Sequence, residues 1–121
     1  MLPSSSKQKG RLLQNKVRDM FLEAFPDLEA DDVRSTAMGQ PGEDIQLSPA
    51  ARKLIPYQTE CKNKARSQLH TYFDQAKSHG NRTPLVVVKM DRKEILATVT
   101  LDEFIRLLKA AQGQDGIRDS K

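Results

Sequence analysis

The clearest hydrophobic pattern in the chain is that of an amphipathic helix over residues 10–25. Its apolar residues recur every three or four positions, at Leu13, Val17, Met20, Phe21 and Ala24. Residues at this spacing share one face of a helix, so the segment is predicted to be a helix with one buried face. Pro26 and Asp27 end it, because the residue before a proline avoids the helical conformation.

The next part of the chain alternates between short apolar runs and turn-forming residues, which is typical of strands. Three strands are predicted, at residues 31–37, 43–47 and 57–62, and the turn sequence Met38-Gly39-Gln40-Pro41-Gly42 separates the first two. Ser48 and Pro49 are residue types favoured at the N-cap and at the first position of a helix. One short helical turn is therefore expected over 48–53.

The second half of the chain predicts a helix, two strands and a last helix. The first of these helices covers 67–77, ends before Gly80, and turns four residues inward: Leu69, Tyr72, Phe73 and Ala76. The β-branched run in 84–90 is typical of a strand buried on both faces, whereas 94–100 alternates between apolar and polar residues. Thr100 or Asp102 caps the last helix, which continues to Ala111. Its apolar stripe is expected to be core or dimer interface: Leu101, Phe104, Ile105 and Leu108.

This order of elements, α-β-β-β-α-β-β-α, indicates the α/β (α+β) class. Three early strands followed by a helix that crosses to a buried strand imply one mixed central β-sheet flanked by helices. We expect a single domain over residues 10–111. A disordered basic N-terminus at 1–9 precedes it, and a flexible polar tail at 112–121 follows it.

Composition adds little that restricts function. The 121 residues allow one domain, and 37% hydrophobic and 5% aromatic residues predict an aliphatic core. Cys61 is the single cysteine, so the chain has no internal disulfide and no thiolate cluster for zinc, and a reducing compartment is expected. Nothing resembles a signal peptide or membrane span. We therefore expect a soluble, cytoplasmic protein (host cytoplasm if phage-encoded) without a membrane partner.

Positive charge is clustered rather than large. The chain carries 20 Lys and Arg against 16 Asp and Glu, a net charge of +4. Basic residues gather in two places: Lys7, Lys9, Arg11, Lys16 and Arg18 near the start, and Lys62, Lys64 and Arg66 in the middle. Such clusters suit the phosphates of nucleic acid, because each neutralised phosphate releases a counterion.

The candidate chemistry lies in the third predicted strand. Alternation sends Gln58, Glu60 and Lys62 to one face, and turns Cys61 to the other face as a small core residue. A carboxylate and an ammonium two positions apart are often no more than a solvated ion pair. Asp44, in the preceding strand, changes this interpretation. Asp44 and Glu60 together can bind one divalent cation, with the backbone carbonyl of Cys61 as a further oxygen ligand.

Magnesium in such a site keeps several waters, one of which can attack a phosphodiester, and Lys62 would stabilise the developing charge or orient that water. Strand alternation lets only one of Glu43 and Asp44 point into the site, and we favour Asp44.

This Asp…Glu-x-Lys arrangement resembles the PD-(D/E)XK nuclease superfamily, and within it the small Holliday-junction resolvases and phage-type endonucleases. The matching pieces extend over most of the chain, from about Lys9 to Leu108: Lys9-Gly10, Arg34-Ser35, Gly42-Glu43-Asp44-Ile45, Glu60-Cys61-Lys62-Asn63, Gln75-Ala76 and residues 84–89. The resemblance implies a restriction-endonuclease-like core. It also implies a homodimer that nicks branched DNA symmetrically with Mg²⁺ or Mn²⁺ and needs no organic cofactor.

The same resemblance assigns roles to residues. Asp44 and Glu60 become metal ligands, and Lys62 becomes the catalytic base or phosphate stabiliser. A glutamate in helix one commonly helps such resolvases to hold metal or water, and the matching position here is Gln14. An amide can bind the same partners without charge. Gln75 is a further predicted active-site contact.

Several basic residues are candidates for binding DNA. Arg34 and Ser35 are predicted to contact the scissile phosphate, the arginine through its bidentate fork. The other candidates would hold the DNA backbone: Lys9, Arg11, Arg52, Lys53, Lys64 and Arg66. His70 and His79 are not accompanied by other potential metal ligands and are expected at the surface.

Three other functions stay open. The same chemistry serves a general or nicking endonuclease that acts on duplex or flap DNA. The neutral Gln14 is compatible with a DNA-binding module that keeps the fold and does not cleave. An unrelated protein-interaction domain is the last alternative.

Overall fold

The computed structural model of the chain describes residues 6–37 and 39–113. Those residues form eight main elements: α1 (Ser6–Ala24), β1 (Val33–Ser35), β2 (Ile45–Leu47), α2 (Pro49–Leu54), α3 (Gln68–Lys77), β3 (Val86–Val88), β4 (Leu96–Thr98) and α4 (Leu101–Ala111). The protein is therefore of mixed α+β type, as its sequence predicts. No helix in the two described ranges is long and apolar enough to cross a membrane.

The described residues group into two compact units. The first takes its residues from Met1–Asn63 and Ile105–Lys121, and the second is Lys64–Phe104. That these units together form one domain over 10–111 stays a prediction.

Helix α1 packs against β1 in the first unit. Val17, Phe21 and Ala24 are buried and Leu13 and Met20 are half-buried, so the predicted apolar stripe is confirmed. The helix begins at Ser6 rather than at residue 10, and residues 6–9, expected to be disordered, are helical. Lysine and glutamine are good helix formers, which allows the helix to extend beyond its apolar stripe. Residues 1–5 lie outside the described part.

Strands β1 and β2 form a two-stranded antiparallel sheet that pairs Val33 with Leu47 and Ser35 with Ile45. Met38 in the connecting turn lies outside the described residues. Gly39 and Gly42 have φ angles of 83° and 102°, which favour glycine over any residue with a side chain. The core of this unit is aliphatic with two phenylalanines, and its largest fully buried side chains are Phe21, Phe25, Ile45, Ile55 and Val33.

The predicted caps of α2 and α4 are confirmed. Ser48 Oγ accepts a hydrogen bond from Ala51 N at 3.1 Å, and Pro49 is the first helical residue of α2. Thr100 Oγ1 accepts from Glu103 N at 3.1 Å at the start of α4. Of the predicted α4 stripe, Ile105 and Leu108 are buried, and Leu101 and Phe104 are half-buried. The predicted tail contributes only residues 112–113 to the described structure.

The predicted third strand, residues 57–62, is not a strand in the structure. Asp44 N donates to Thr59 O at 2.9 Å, but Cys61 N donates to the side-chain oxygen Oδ2 of Asp44, at 2.6 Å. A ladder needs backbone carbonyls as acceptors, so the Asp44 carboxylate takes up a donor that a neighbouring strand would need. Backbone pairing of 57–62 with the Asp44 segment therefore does not continue past Thr59.

In the second unit, β3 and β4 pair antiparallel and α3 packs against β3. The prediction that the 84–90 strand is buried on both faces is wrong. Val86 is buried, whereas Leu85 and Val87 are 55% and 59% exposed. Helix α3 packs against β3, and this packing buries Val86 but leaves Leu85 and Val87 exposed.

Two further predictions from the sequence are not confirmed: the inward-facing residues of α3 and the single mixed sheet. Phe73 and Ala76 of α3 are half-buried, but Leu69 and Tyr72, also predicted to face inward, are 36% and 39% exposed. The four strands of the described residues form two separate two-stranded sheets. A single mixed sheet is therefore not confirmed.

Candidate active site

Most of the residues predicted to carry chemistry in the first unit line one cavity of about 360 Å³. The lining comes from α1, the loop after β1, the residue just before β2 and the segment that follows α2: Lys7, Gly10, Gln14, Thr36, Ala37, Gly39, Gln40, Asp44, Glu60, Cys61, Lys62 and Asn63. Both carboxylates of the predicted cation site are in this set, together with the Lys62 ammonium. We call this space the Asp44 cavity.

Asp44 is held in place by its backbone and by its side chain. Its N–H donates to Thr59 O at 2.9 Å, and its Oδ2 accepts from Cys61 N at 2.6 Å. These two bonds join Asp44 to Thr59 and to Cys61, the residues on either side of Glu60. Glu43 does not line the cavity; its carbonyl accepts from the Thr36 hydroxyl at 2.6 Å.

Gln14, which lines the cavity, supports the backbone of Asp44. Its side chain is 6% exposed, and its Nε2 donates to Asp44 O at 2.9 Å and to Thr36 O at 3.4 Å. Both amide protons are therefore used on backbone carbonyls. No buried side-chain nitrogen or oxygen of the described residues lacks a partner.

Thr36 is a site residue that the sequence did not reveal. It is 6% exposed, its N–H donates to Asp44 O at 2.9 Å, and its hydroxyl holds Glu43 O. A threonine after a short strand carries no distinguishing pattern, so its role is evident only from these contacts.

Glu60 and Lys62 form an ion pair at the open side of the cavity. The distance between Nζ and Oε2 is 3.3 Å, and the side chains are 62% and 69% exposed. An ion pair this exposed contributes little to stability. Both groups are therefore free to exchange one partner for another, which a site for a charged substrate requires.

Cys61 lies in the site rather than in the core. The side chain is half-buried and lines the cavity, because residues 57–62 form no strand whose alternation would turn it away. Burial raises the pKa of its thiol, and the negative charges of Asp44 and Glu60 raise that pKa further.

Three lining residues share a face of α1 at helical spacing. Lys7, Gly10 and Gln14 stand at positions i, i+3 and i+7, a spacing that places all three on the same side of the helix. This spacing could have been found in the sequence, but the apolar stripe of the same helix is the stronger pattern.

The remaining candidates lie elsewhere, and their proposed roles stay predictions. Arg34 and Ser35 are on β1 and do not line the cavity, and Arg34 is exposed. Four other basic candidates of the first unit are exposed on α1 and α2: Lys9, Arg11, Arg52 and Lys53. Gln75, Lys64 and Arg66 belong to the second unit and are exposed there. His70 and His79 are exposed, as expected.

The donor set of the cavity fits a hard divalent cation. In the described ranges, no group of three or more His, Cys, Asp or Glu side chains is placed to hold a metal ion. Magnesium does not require three such ligands, since it binds through one or two carboxylates and completes its shell with water and substrate phosphates. Carboxylate and carbonyl oxygens also suit manganese.

No family model matches the chain, and searches of the curated proteins and of the solved structures give no match.

Proposed function

We propose that this protein is a magnesium-dependent DNA endonuclease whose active site is the Asp44 cavity. One observation supports the proposal most strongly: two carboxylates from separate segments, Asp44 and Glu60, line one cavity with the Lys62 ammonium beside them. This combination can hold a divalent cation and neutralise a phosphodiester in the same space.

Each residue has a part in this proposal. Asp44, Glu60 and the Cys61 carbonyl would hold the cation, Mg²⁺ or Mn²⁺. When bound, the cation offsets the negative charge that develops on the scissile phosphate. Lys62 Nζ stabilises the same charge or orients the attacking water. Gln14 holds the Asp44 backbone through Nε2, and its Oε1 would accept a hydrogen bond from a water in the site.

The motif resemblance extends the proposal to substrate and assembly. It favours four-way or other branched DNA, cut symmetrically by a homodimer with a restriction-endonuclease-like core and one mixed sheet. Selectivity for branches would come from dimer geometry and from contacts to phosphates, which carry no sequence information. The active-site contact expected of Gln75 stays a prediction.

A DNA-binding module that does not cleave is the second candidate. Gln14 favours it, because both amide protons are engaged with backbone carbonyls and the residue adds no charge to the cavity. Under this proposal the basic residues bind DNA and the carboxylates serve the fold alone.

Cleavage assays with the purified protein separate these functions. A four-way junction, a linear duplex and a flap are each incubated with and without Mg²⁺. Paired symmetric nicks on the junction alone support a resolvase, and equal cutting of linear duplex supports a general endonuclease. Binding without cutting, unchanged in the Lys62→Ala variant, supports the module.

The neighbouring carboxylates allow a matched pair of variants. Asp44→Asn keeps an oxygen for the Cys61 N–H and removes the charge. We expect it to abolish cleavage and to retain or tighten DNA binding, because negative charge beside phosphate is lost. Glu43→Gln, which changes a carboxylate that does not line the cavity, should cut normally. Normal cutting by Asp44→Asn would show that the site assignment is wrong.

A further inference from the structure

Gly10 is a glycine that the fold itself does not require. It lies in the interior of α1, where glycine destabilises a helix relative to alanine. A Cβ at this position would meet no atom within 4 Å, so packing leaves room for a side chain. Gly39 lines the same cavity but is explained by its φ of 83°. Gly10 is explained neither by a positive φ nor by a close packing contact.

The position of Gly10 on the cavity wall suggests another reason. Gly10 and Lys7 are adjacent on one face of α1, and both line the cavity that contains Asp44, Glu60 and Lys62. Lys7 is exposed. The helix therefore presents bare backbone next to an ammonium group, on the wall of the space where the substrate would lie.

Resting on the proposed nuclease function, we propose that Lys7 and Gly10 bind the sugar–phosphate backbone of the substrate strand beside the scissile bond. The missing side chain at Gly10 lets the strand approach the helix closely. Lys7 Nζ pairs with a phosphate and releases its counterion. Contacts of this kind position a strand without reading its bases.

Stability and DNA binding should change in opposite directions at Gly10. Alanine and leucine both have higher helix propensity than glycine, so Gly10→Ala and Gly10→Leu should raise the melting temperature. Both should weaken binding of a fluorescein-labelled four-way junction, measured by anisotropy in Ca²⁺. We expect Kd to rise about tenfold for the larger side chain, equivalent to the loss of one good contact. Unchanged Kd in both variants would overturn the proposal.

Lys7 is tested separately, through the salt dependence of binding. Lys7→Gln should reduce the slope of log K against log salt by about 1, as expected for one lost phosphate contact. Lys77→Gln is the matched control, since Lys77 is an exposed helical lysine that belongs to neither basic cluster and does not line the cavity. Equal slopes for Lys7→Gln and the wild type would also overturn the proposal.

The wild-type protein distinguishes this failure from failure of the proposed function. Absence of both binding and Mg²⁺-dependent cutting on every DNA would remove the nuclease proposal itself. Normal cutting by the wild type, with Gly10→Leu and Lys7→Gln binding equally well, would remove only the role of this helix face.

Discussion

Gln14 is the residue at which this protein departs most from the pattern it resembles. The amide donates to two backbone carbonyls, those of Asp44 and Thr36, and is almost fully buried. A glutamate at this position would bring charge and lose both donated bonds. The departure therefore exchanges a possible metal ligand for a contact that holds Asp44 in place.

Gln14→Glu should lower stability at neutral pH. An ionised carboxylate cannot donate, so both donated bonds are lost and the new charge faces two carbonyl oxygens, at a cost of roughly 1–3 kcal/mol. Urea unfolding without added metal measures the change. Gln58→Glu, the same substitution at an exposed position of the same unit, should cost much less. Equal costs would mean that the amide bonds contribute nothing.

Cys61 allows a test of the site's charge that does not depend on activity. Its thiolate is disfavoured by burial and by the charges of Asp44 and Glu60, which hold the pKa above the ordinary 9.0. Removing a negative charge should lower that pKa. Glu60→Gln should therefore speed alkylation by iodoacetamide at a given pH below 9.0, because more thiolate is present.

Glu43→Gln is the control for this measurement, since the Glu43 charge is not among the causes of the raised pKa. If both variants react at the wild-type rate, the Glu60 carboxylate does not lie near the Cys61 sulfur.

At the scale of elements, one side chain connects the start of α2 to the segment before β1. Ser48 caps α2 and donates through Oγ to Asp32 Oδ1 at 2.7 Å, while Asp32 Oδ2 accepts from Glu29 N at 2.7 Å. These bonds favour the charged carboxylate and hold the pKa of Asp32 below its ordinary value of 3.8, the backbone bond being the larger cause.

This bonding predicts a pH dependence. A carboxyl whose folded-state pKa is lowered contributes stability above its unfolded pKa, and that contribution is lost as the pH falls through the folded pKa. As the pH falls below 3.8, the melting temperature of the wild type should therefore drop further than that of Asp32→Asn, which has no charge to lose at this position. Parallel acid profiles for the two proteins would contradict the role of Asp32.

At the scale of the whole molecule, the excess of four positive charges should be visible in DNA binding. The affinity should fall linearly with salt on logarithmic axes, with a slope set by the number of phosphates contacted. Arg52→Gln combined with Lys53→Gln should reduce the slope by about 2, if both contact phosphate. The exposed pair Arg92 and Lys93, changed in the same way, should leave it unchanged. An equal effect of both double variants would indicate general charge attraction rather than a contact by α2.

How far the sequence predicts the structure differs between helices and strands. The helices were located to within a few residues, because apolar spacing and capping residues act over one or two turns. The strands are shorter than predicted, and residues 57–62 form none, because strand pairing depends on a partner strand that local sequence does not specify. The alternation in 57–62 predicted a shared site for Glu60 and Lys62, which do line one cavity, but it wrongly turned Cys61 to the core, since Cys61 lines the same cavity.

The sequence by itself determined the α+β class, the helix caps and the residue types that could hold a cation, since these follow from local pattern and side-chain chemistry. Only the tertiary structure decided that Asp44 and Glu60 line one cavity, that Gln14 and Thr36 hold the Asp44 backbone, and that α1 contributes Lys7 and Gly10 to the wall. The bonds responsible join residues 17 and 30 positions apart, Cys61 to Asp44 and Gln14 to Asp44. Contacts at such separations depend on how the chain packs, and no local pattern specifies them.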